Sequence, residues 1–271
     1  MALILQANVG KNAEALHCVL ETAKKRGANL VIFQEPPMGR GEFAVRHTAF
    51  EILWPCTTTG RPNRVATARR IDSDWNFAEK TRFMEAEAEG DVQVVRATRR
   101  DRTGVPFRIV NAYFQSVGRG GGPRPAKRVQ WDFLLEESSE APCIIGGDFN
   151  AHSPRWNRRF HTRRNATFLE DLIDSFNLSI LNDQSETRFG GENHSIIDLI
   201  LASLSAAIHC RDWRVLDSVE EGSGSDYAII EWKWEDGVAK SDEGWKFRGR
   251  ALKKKLDVEK EAMKRGEKVV T

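Results

Sequence analysis

The chain is punctuated by short apolar runs that stop on a polar residue. Residues 3–9 (LILQANV) close on Asn8 and Gly10, and 29–33 (NLVIF) lead into Gln34, Glu35 and a Pro-Pro pair. The run 143–145 stops at two glycines and is followed by Asp148, Phe149, Asn150 and His152. Runs this short, bounded by turn formers and rich in branched residues, predict buried strands. Between the first two runs, Ala13, Leu16, Val19, Leu20 and Ala23 recur at helical spacing, with Lys24, Lys25 and Arg26 ahead of Gly27. That is an amphipathic helix with a basic last turn and a glycine stop. A strand, a helix and a strand predict a crossover that sets the two strands parallel, with Asn8 and Glu35 at corresponding ends. Ligands of α/β sheets collect at such ends.

The alternation continues further along. Residues 64–71 and 91–97 read as strands, 99–104 as a hairpin turn, and 107–115 (FRIVNAYFQ) as a strand with Asn111 and Tyr113 near its exit. The glycine-rich stretch 118–125 reads as a flexible basic loop before a helix over 127–137 built on Val129, Phe133 and Leu134. A second helix, capped by Asn165, carries the stripe Phe168, Leu169, Leu172, Ile173 and Phe176. Residues 178–181, 195–203, 207–216 and 227–234 supply the last strands. Asp198 interrupts the third-last of these apolar runs, and a buried carboxylate is costly unless something binds it, so it is expected to have a specific partner. Residues 38–90 are the least patterned, with 77–89 helical in composition. The pattern predicts one α/β domain over 1–235 and a charged tail or linker over 236–271.

Composition narrows the setting. With 271 residues, 40% hydrophobic residues and eight Trp, the chain can bury a substantial core. No run approaches the roughly 18 to 20 apolar residues of a membrane span, and the first residues lack a signal-peptide pattern. The expectation is an intracellular protein, nuclear or cytoplasmic, with no membrane partner. Cys18, Cys56, Cys143 and Cys210 form no CxxC pair and mostly sit in apolar runs, so they read as buried thiols. The net charge of +2 hides a basic stretch, with fourteen Lys or Arg against six Asp or Glu between Arg96 and Arg164. Such a stretch suits a phosphate-rich partner, and nucleic acid is the leading candidate. Within it, Arg155, Arg158, Arg159, Arg163 and Arg164 alternate with Trp156 and Phe160. Guanidinium groups there could hold phosphates while the rings stack on bases; a solvated surface loop is the alternative.

Six blocks, in order, carry a family resemblance: QANVG (6–10), FQEP (33–36), NAYFQ (111–115), GGDFNAHSPRW (146–156), SIIDLIL (195–201) and SDYAII (225–230). Together they resemble the endonuclease/exonuclease/phosphatase superfamily, and most closely the endonuclease domains of non-LTR retrotransposons. The resemblance covers about residues 3–235. It implies a DNase I-like four-layer α/β sandwich, two mixed β-sheets packed face to face with helices outside. It also implies a magnesium-dependent phosphodiester hydrolase that nicks DNA, with manganese as a substitute ion and a fused or associated reverse transcriptase as a partner.

By the same resemblance Glu35 holds the metal, aided by Asn8 and Asp226. Asp148 and Asn150 orient the attacking water and hold the scissile phosphate, which Tyr113 also contacts. The chemistry is coherent, because phosphodiester hydrolysis needs a hard cation on oxygen ligands and a carboxylate to aim water. One departure stands out. The family's last block ends Ser-Asp-His, its histidine paired with the acid matching Asp198, and this chain has Tyr227 there. A phenol cannot exchange protons near neutrality as imidazole does, so activity is expected to be attenuated. The alternatives are a relic that binds nucleic acid without cutting it and, third, a phosphomonoesterase of the same superfamily. Oligomeric state leaves no mark in the pattern.

Overall fold

The computed structural model describes residues 1–37, 46–58, 60–81, 89–115, 131, 135, 141–162, 164–190, 194–216 and 224–236. Its elements in chain order are β1 (Ala2–Asn8), α1 (Ala13–Arg26), β2 (Leu30–Gln34), β3 (Phe50–Leu53), β4 (Val65–Arg70), β5 (Trp75–Glu79), β6 (Val92–Arg99) and β7 (Phe107–Tyr113). There follow β8 (Cys143–Asp148), α2 (Arg164–Ser175), β9 (Ser179–Ile180), β10 (Asp198–Ala202), α3 (Leu204–Ala207), β11 (Cys210–Val215) and β12 (Ile230–Trp234). Among the described residues none forms a helix long and apolar enough to cross a membrane.

The strands build two mixed sheets, ordered β11-β12-β1-β2-β4-β3 and β5-β6-β7-β8-β10-β9. Parallel pairing links β1 to β2 and β7 to β8, and the other neighbours are antiparallel. Each sheet has two buried faces, and side-chain alternation assigns them. Leu5 and Ala7 of β1, with Val9 just beyond it, pack outward against Leu16, Val19 and Leu20 of α1. Ile4 of β1 and Ile32 of β2 pack inward against Ile109, Ile144 and Ile200 of the other sheet. Outside that second sheet, Ile145, Leu199 and Leu201 meet Leu169, Leu172 and Ile173 of α2. The layers are therefore α1, sheet, sheet, α2, which is the predicted four-layer sandwich.

The inner faces change character along the strands. At one end they are aromatic, with the rings of Phe107 and Trp234 stacked at 4.0 Å and Trp75 edge-on to Phe107 at 5.3 Å. At the other end they are polar and cross-linked. Gln34 Nε2 donates to Asn111 Oδ1 (2.7 Å), Asn111 Nδ2 donates to Ala66 O (2.9 Å), and Thr67 Oγ1 donates to Gln93 Oε1 (2.6 Å). All of these residues are buried. Buried amides are tolerated when paired, and these pairs tie sheet to sheet.

Several expectations need correction. Phe77 lies in β5 rather than a helix, because Trp75 and Phe77 bury on one side while Asn76 is exposed, the period of a strand. Asp198 opens β10 rather than interrupting it. Ala207 closes α3 and residues 208–209 lie between α3 and β11, so the strand there begins at Cys210. Only Cys143 and Cys210 are buried; Cys18 is exposed on α1 off its apolar stripe, and Cys56 is exposed beyond β3. The loop expected at 118–125 lies outside the described residues, as does all of the tail but Asp236; of the helix expected at 127–137 only Trp131 and Leu135 are described.

Candidate active site

Period-two alternation carries the polar ends of five strands to one place. Asn8 and Gln34 are register partners at the C-terminal ends of β1 and β2. Tyr113 partners Asp148 across the parallel pair β7 and β8, and Asp148 partners Asp198 across the antiparallel pair β8 and β10. The two sheets meet through side chains here. Asn8 Nδ2 donates to Asp148 Oδ2 at 2.9 Å, and the Tyr113 hydroxyl donates to Glu35 Oε1 at 2.9 Å.

The backbone beyond each strand is shaped to aim these groups. Glu35 has φ 49°, an uncommon left-handed conformation for a residue with a Cβ. It is held there because its N–H donates to Arg64 O (2.7 Å) and its carbonyl accepts from Lys11 N (2.6 Å). Asn8 Oδ1 accepts from Gly10 N at 2.9 Å. Gly146 and Gly147 are required by close approach: a Cβ on Gly147 would lie 1.8 Å from Ala112 O, and one on Gly146 would lie 2.6 Å from Ile32 Cδ1.

Asp148 and Asp198 are both buried, at 0% and 1% exposure, and face each other across paired strands. Burial pushes the Asp148 carboxyl up, while Asn150 N (2.9 Å) and Asn8 donate to it and oppose the shift. Burial and then the charge of Asp148 push Asp198 well up. Neither Asp198 oxygen meets a donor in hydrogen-bond geometry, although Thr187, Gln6 and Arg188 bear on it. Both Gln6 side-chain polar atoms are likewise buried without a partner. Tyr227 joins the group. Burial and the charge of Asp148 push its phenol up, with Arg188 opposing and Asp198 and Glu35 adding to the rise. Tyr113 is raised by burial and by Glu35. Both phenols are protonated at any physiological pH.

Glu35, Asn8, Tyr113, Asp148, Asp198 and Tyr227 therefore come together, and three expected residues do not behave as the sequence suggested. Asn150 has φ 44°, so its side chain leaves the side of Asp148 and Nδ2 donates to Phe114 O at 2.9 Å. Asp226 is exposed with its carboxylate against Gly190, although Ser225 Oγ beside it donates to Asn8 O at 2.9 Å. Trp156 is fully buried, its indole N–H donating to Ala151 O at 3.2 Å. Its ring belongs to the core under α2 and is not available to stack on a base.

The basic loop is also less open than its composition suggests. Arg155 pairs with Asp174 (3.0 Å) and Arg159 with Glu186 (2.6 Å), while Arg158 is exposed. Arg163 lies outside the described residues, and Arg164 begins α2. Arg188, Thr187 and Gln6 escaped the sequence reading. Only the register, with Arg188 bridged to both Ser195 and Tyr227, brings that segment to the site.

The donors at hand are carboxylate and amide oxygens, the set a hard divalent cation takes, and magnesium needs only one or two protein carboxylates. Glu35 and Asn8 fit such an ion, while Asp226 is exposed with its carboxylate against Gly190. Among the described residues no three His, Cys, Asp or Glu side chains form a metal cluster on their own.

Residues 107–231 match the family model described as Endonuclease-reverse transcriptase. No curated protein matches the chain. The fold is similar to that of the endonuclease domain of TRAS1, a telomere-specific non-LTR retrotransposon, with TM-score 0.63, 19% identity, and 87% of this chain and 98% of that one covered. It is similar to the 3′ phosphatase NExo from Neisseria bound to a product DNA hairpin (TM-score 0.61, 18% identity, 87% and 100% covered). It is also similar to the AP endonuclease LMAP from Leishmania major (TM-score 0.63, 14% identity, 86% and 88% covered). Residues 107–231 thus match an endonuclease-type family model, and the fold is similar to that of endonuclease/exonuclease/phosphatase proteins.

Proposed function

We propose that the chain is a divalent-metal-dependent phosphodiester hydrolase that nicks DNA, of the retrotransposon-endonuclease type, with its rate attenuated by Tyr227. The observation that carries this reading is the convergence of Glu35, Asn8, Tyr113, Asp148, Asp198 and Tyr227 from both sheets. Glu35 and Asn8 would hold the ion, and a hard cation supplies charge stabilisation for the developing negative charge on phosphorus oxygens. Asp148 is the base for water: a carboxylate with raised proton affinity, fixed by Asn8 and the Asn150 N–H, takes the proton as water attacks phosphorus. Burial first and then the charge of Glu35 keep that carboxylate's proton affinity high, and Asp198 faces it across the paired strands. Tyr227 stays protonated and offers a hydrogen bond to a non-bridging oxygen, without delivering a proton to the leaving oxygen.

Tyr227 also favours a second reading, a relic that binds DNA and no longer cuts. Nicking of supercoiled plasmid in magnesium separates the two. The hydrolase reading expects slow nicking by the wild type, about 10² or more faster nicking by Tyr227→His, and none by Glu35→Ala. A silent wild type with an active Tyr227→His selects the relic. Silence of both, or nicking by Glu35→Ala, removes the assignment.

A further inference from the structure

We propose that Arg188 is the substrate-phosphate receptor of this pocket, its guanidinium taking the non-bridging oxygens of a nucleic-acid phosphodiester. The proposal deepens the phosphodiesterase reading and rests on it. Glu35 and Asp148 gather at the strand ends beside Asp198, whose carboxyl is pushed well up, and a phosphodiester brought among them meets like charge. Something in the pocket must offset that repulsion on the substrate side.

Arg188 is placed to do so. Its N–H and C=O both pair with Ser195 at 3.0 Å, and on its other side it is bridged to Tyr227. The guanidinium carbon stands 5.3 Å from the Tyr227 ring centroid. Its charge bears on Asp148, Asp198 and Tyr227 together. Yet among the described residues it forms no ion pair within 4.0 Å of either carboxylate, and its guanidinium has no hydrogen-bond partner, Nε being buried without one.

Several other arginines of this molecule are spent on acids. Arg64 is paired with Asp91 at 3.4 Å, Arg155 with Asp174, Arg159 with Glu186, and Arg26 and Arg214 with Glu231. A half-buried guanidinium with unspent donors carries a desolvation cost that a ligand oxygen would relieve. Its planar fork matches two oxygens of one phosphate, which a point charge does not. Sitting over the phenol face, it is aimed rather than free to sweep.

The test measures binding to a short labelled DNA duplex by fluorescence anisotropy across a salt series, with inorganic phosphate as competitor. It compares wild type, Arg188→Gln, Arg188→Lys and, as a charge control on the exposed face of β6, Arg96→Gln. Arg188→Gln should weaken DNA binding about tenfold or more and lower the slope of log affinity against log salt by about one. Inorganic phosphate should compete with the wild type and much less with this variant. Arg188→Lys should keep the slope and lose affinity, and Arg96→Gln should leave competition by phosphate as in the wild type. A purely structural arginine would move the melting temperature and leave slope and competition alone. Unchanged slope and affinity in Arg188→Gln, or a wild type that binds no DNA, overturns the proposal. If Arg188→Gln does not fold, Arg188→Lys decides: wild-type affinity overturns the proposal, reduced affinity at the same slope supports it. DNA binding that depends on Arg188 in a wild type that never nicks sinks only the hydrolase reading.

Discussion

Asp91 shows how one buried acid near the site sets a pH dependence. Its Oδ1 lies 3.4 Å from Arg64 Nε while Oδ2 is buried without a partner, and burial pushes the carboxyl up to about 6 against the pull of Arg64 and Arg61. The folded state therefore binds this proton more tightly than the unfolded chain. Stability from Asp91 is greatest below about pH 4 and is lost as pH rises through 6, a penalty of roughly 2 to 3 kcal/mol above that. Asp91→Asn should accordingly melt later than wild type at pH 7.5, with the gap shrinking toward pH 4; a gap independent of pH would contradict the assignment. Glu35 makes a second prediction. Glu35→Gly relieves the left-handed φ, so it should not lower the melting temperature by more than the lost bond from Tyr113 accounts for, about 1 kcal/mol, while abolishing nicking. The residues legible in sequence were those at the ends of apolar runs: Asn8, Asp148 and Tyr113 close their strands, where period-two alternation fixes the face, and Glu35 follows β2 directly, aimed by its φ of 49°. Asn150 lies past the end of β8, where its φ of 44° rather than alternation aims the side chain, and Asp226 lies in the segment ahead of β12, outside any strand period. Trp156 followed a basic composition that said nothing about which way the ring points.

The elements place those residues through close strand contact, and β7 and β8 show the tightest. A methyl at Gly147 would strike Ala112 O, so Gly147→Ala must separate the strands that carry Tyr113 and Asp148. A loss of about 3 kcal/mol or more in urea unfolding is expected; a loss near that of an ordinary surface change would refute the contact. On the other sheet, Glu231 of β12 is buried on the outer face and gripped by Arg26 of α1 and Arg214 of β11, the latter at 2.6 Å. Burial raises its pKa, and the two guanidiniums outweigh burial, so the net direction is down. Removing Arg26 leaves the buried Glu231 to Arg214 alone, so Arg26→Ala should cost about 2 kcal/mol at neutral pH, and less as pH falls and Glu231 protonates. The unit β1-α1-β2 was readable because its two periods are clean. The strands β3 and β5 were not, being short and half polar: β3 buries only Phe50, and β5 exposes Asn76 between Trp75 and Phe77.

Across the whole sandwich, the inner surface grades from stacked aromatics to a cross-linked set of amides and acids. The aromatic end fixes the sheets together by burial, and the polar end holds its charged groups where no solvent rearrangement is needed to orient them. Sequence gave no account of that gradient because it lies across strands distant in the chain; Gln34 and Asn111 are 77 residues apart. It follows that the pocket should form only when both sheets pack, and that its chemistry belongs to neither sheet alone. The most direct test is a crystal of the protein soaked in manganese, read by anomalous scattering. The account predicts one strong peak beside Glu35, between the ends of β1 and β7 and within reach of Asn8. A peak bound elsewhere on the molecule, with none at Glu35, would contradict it.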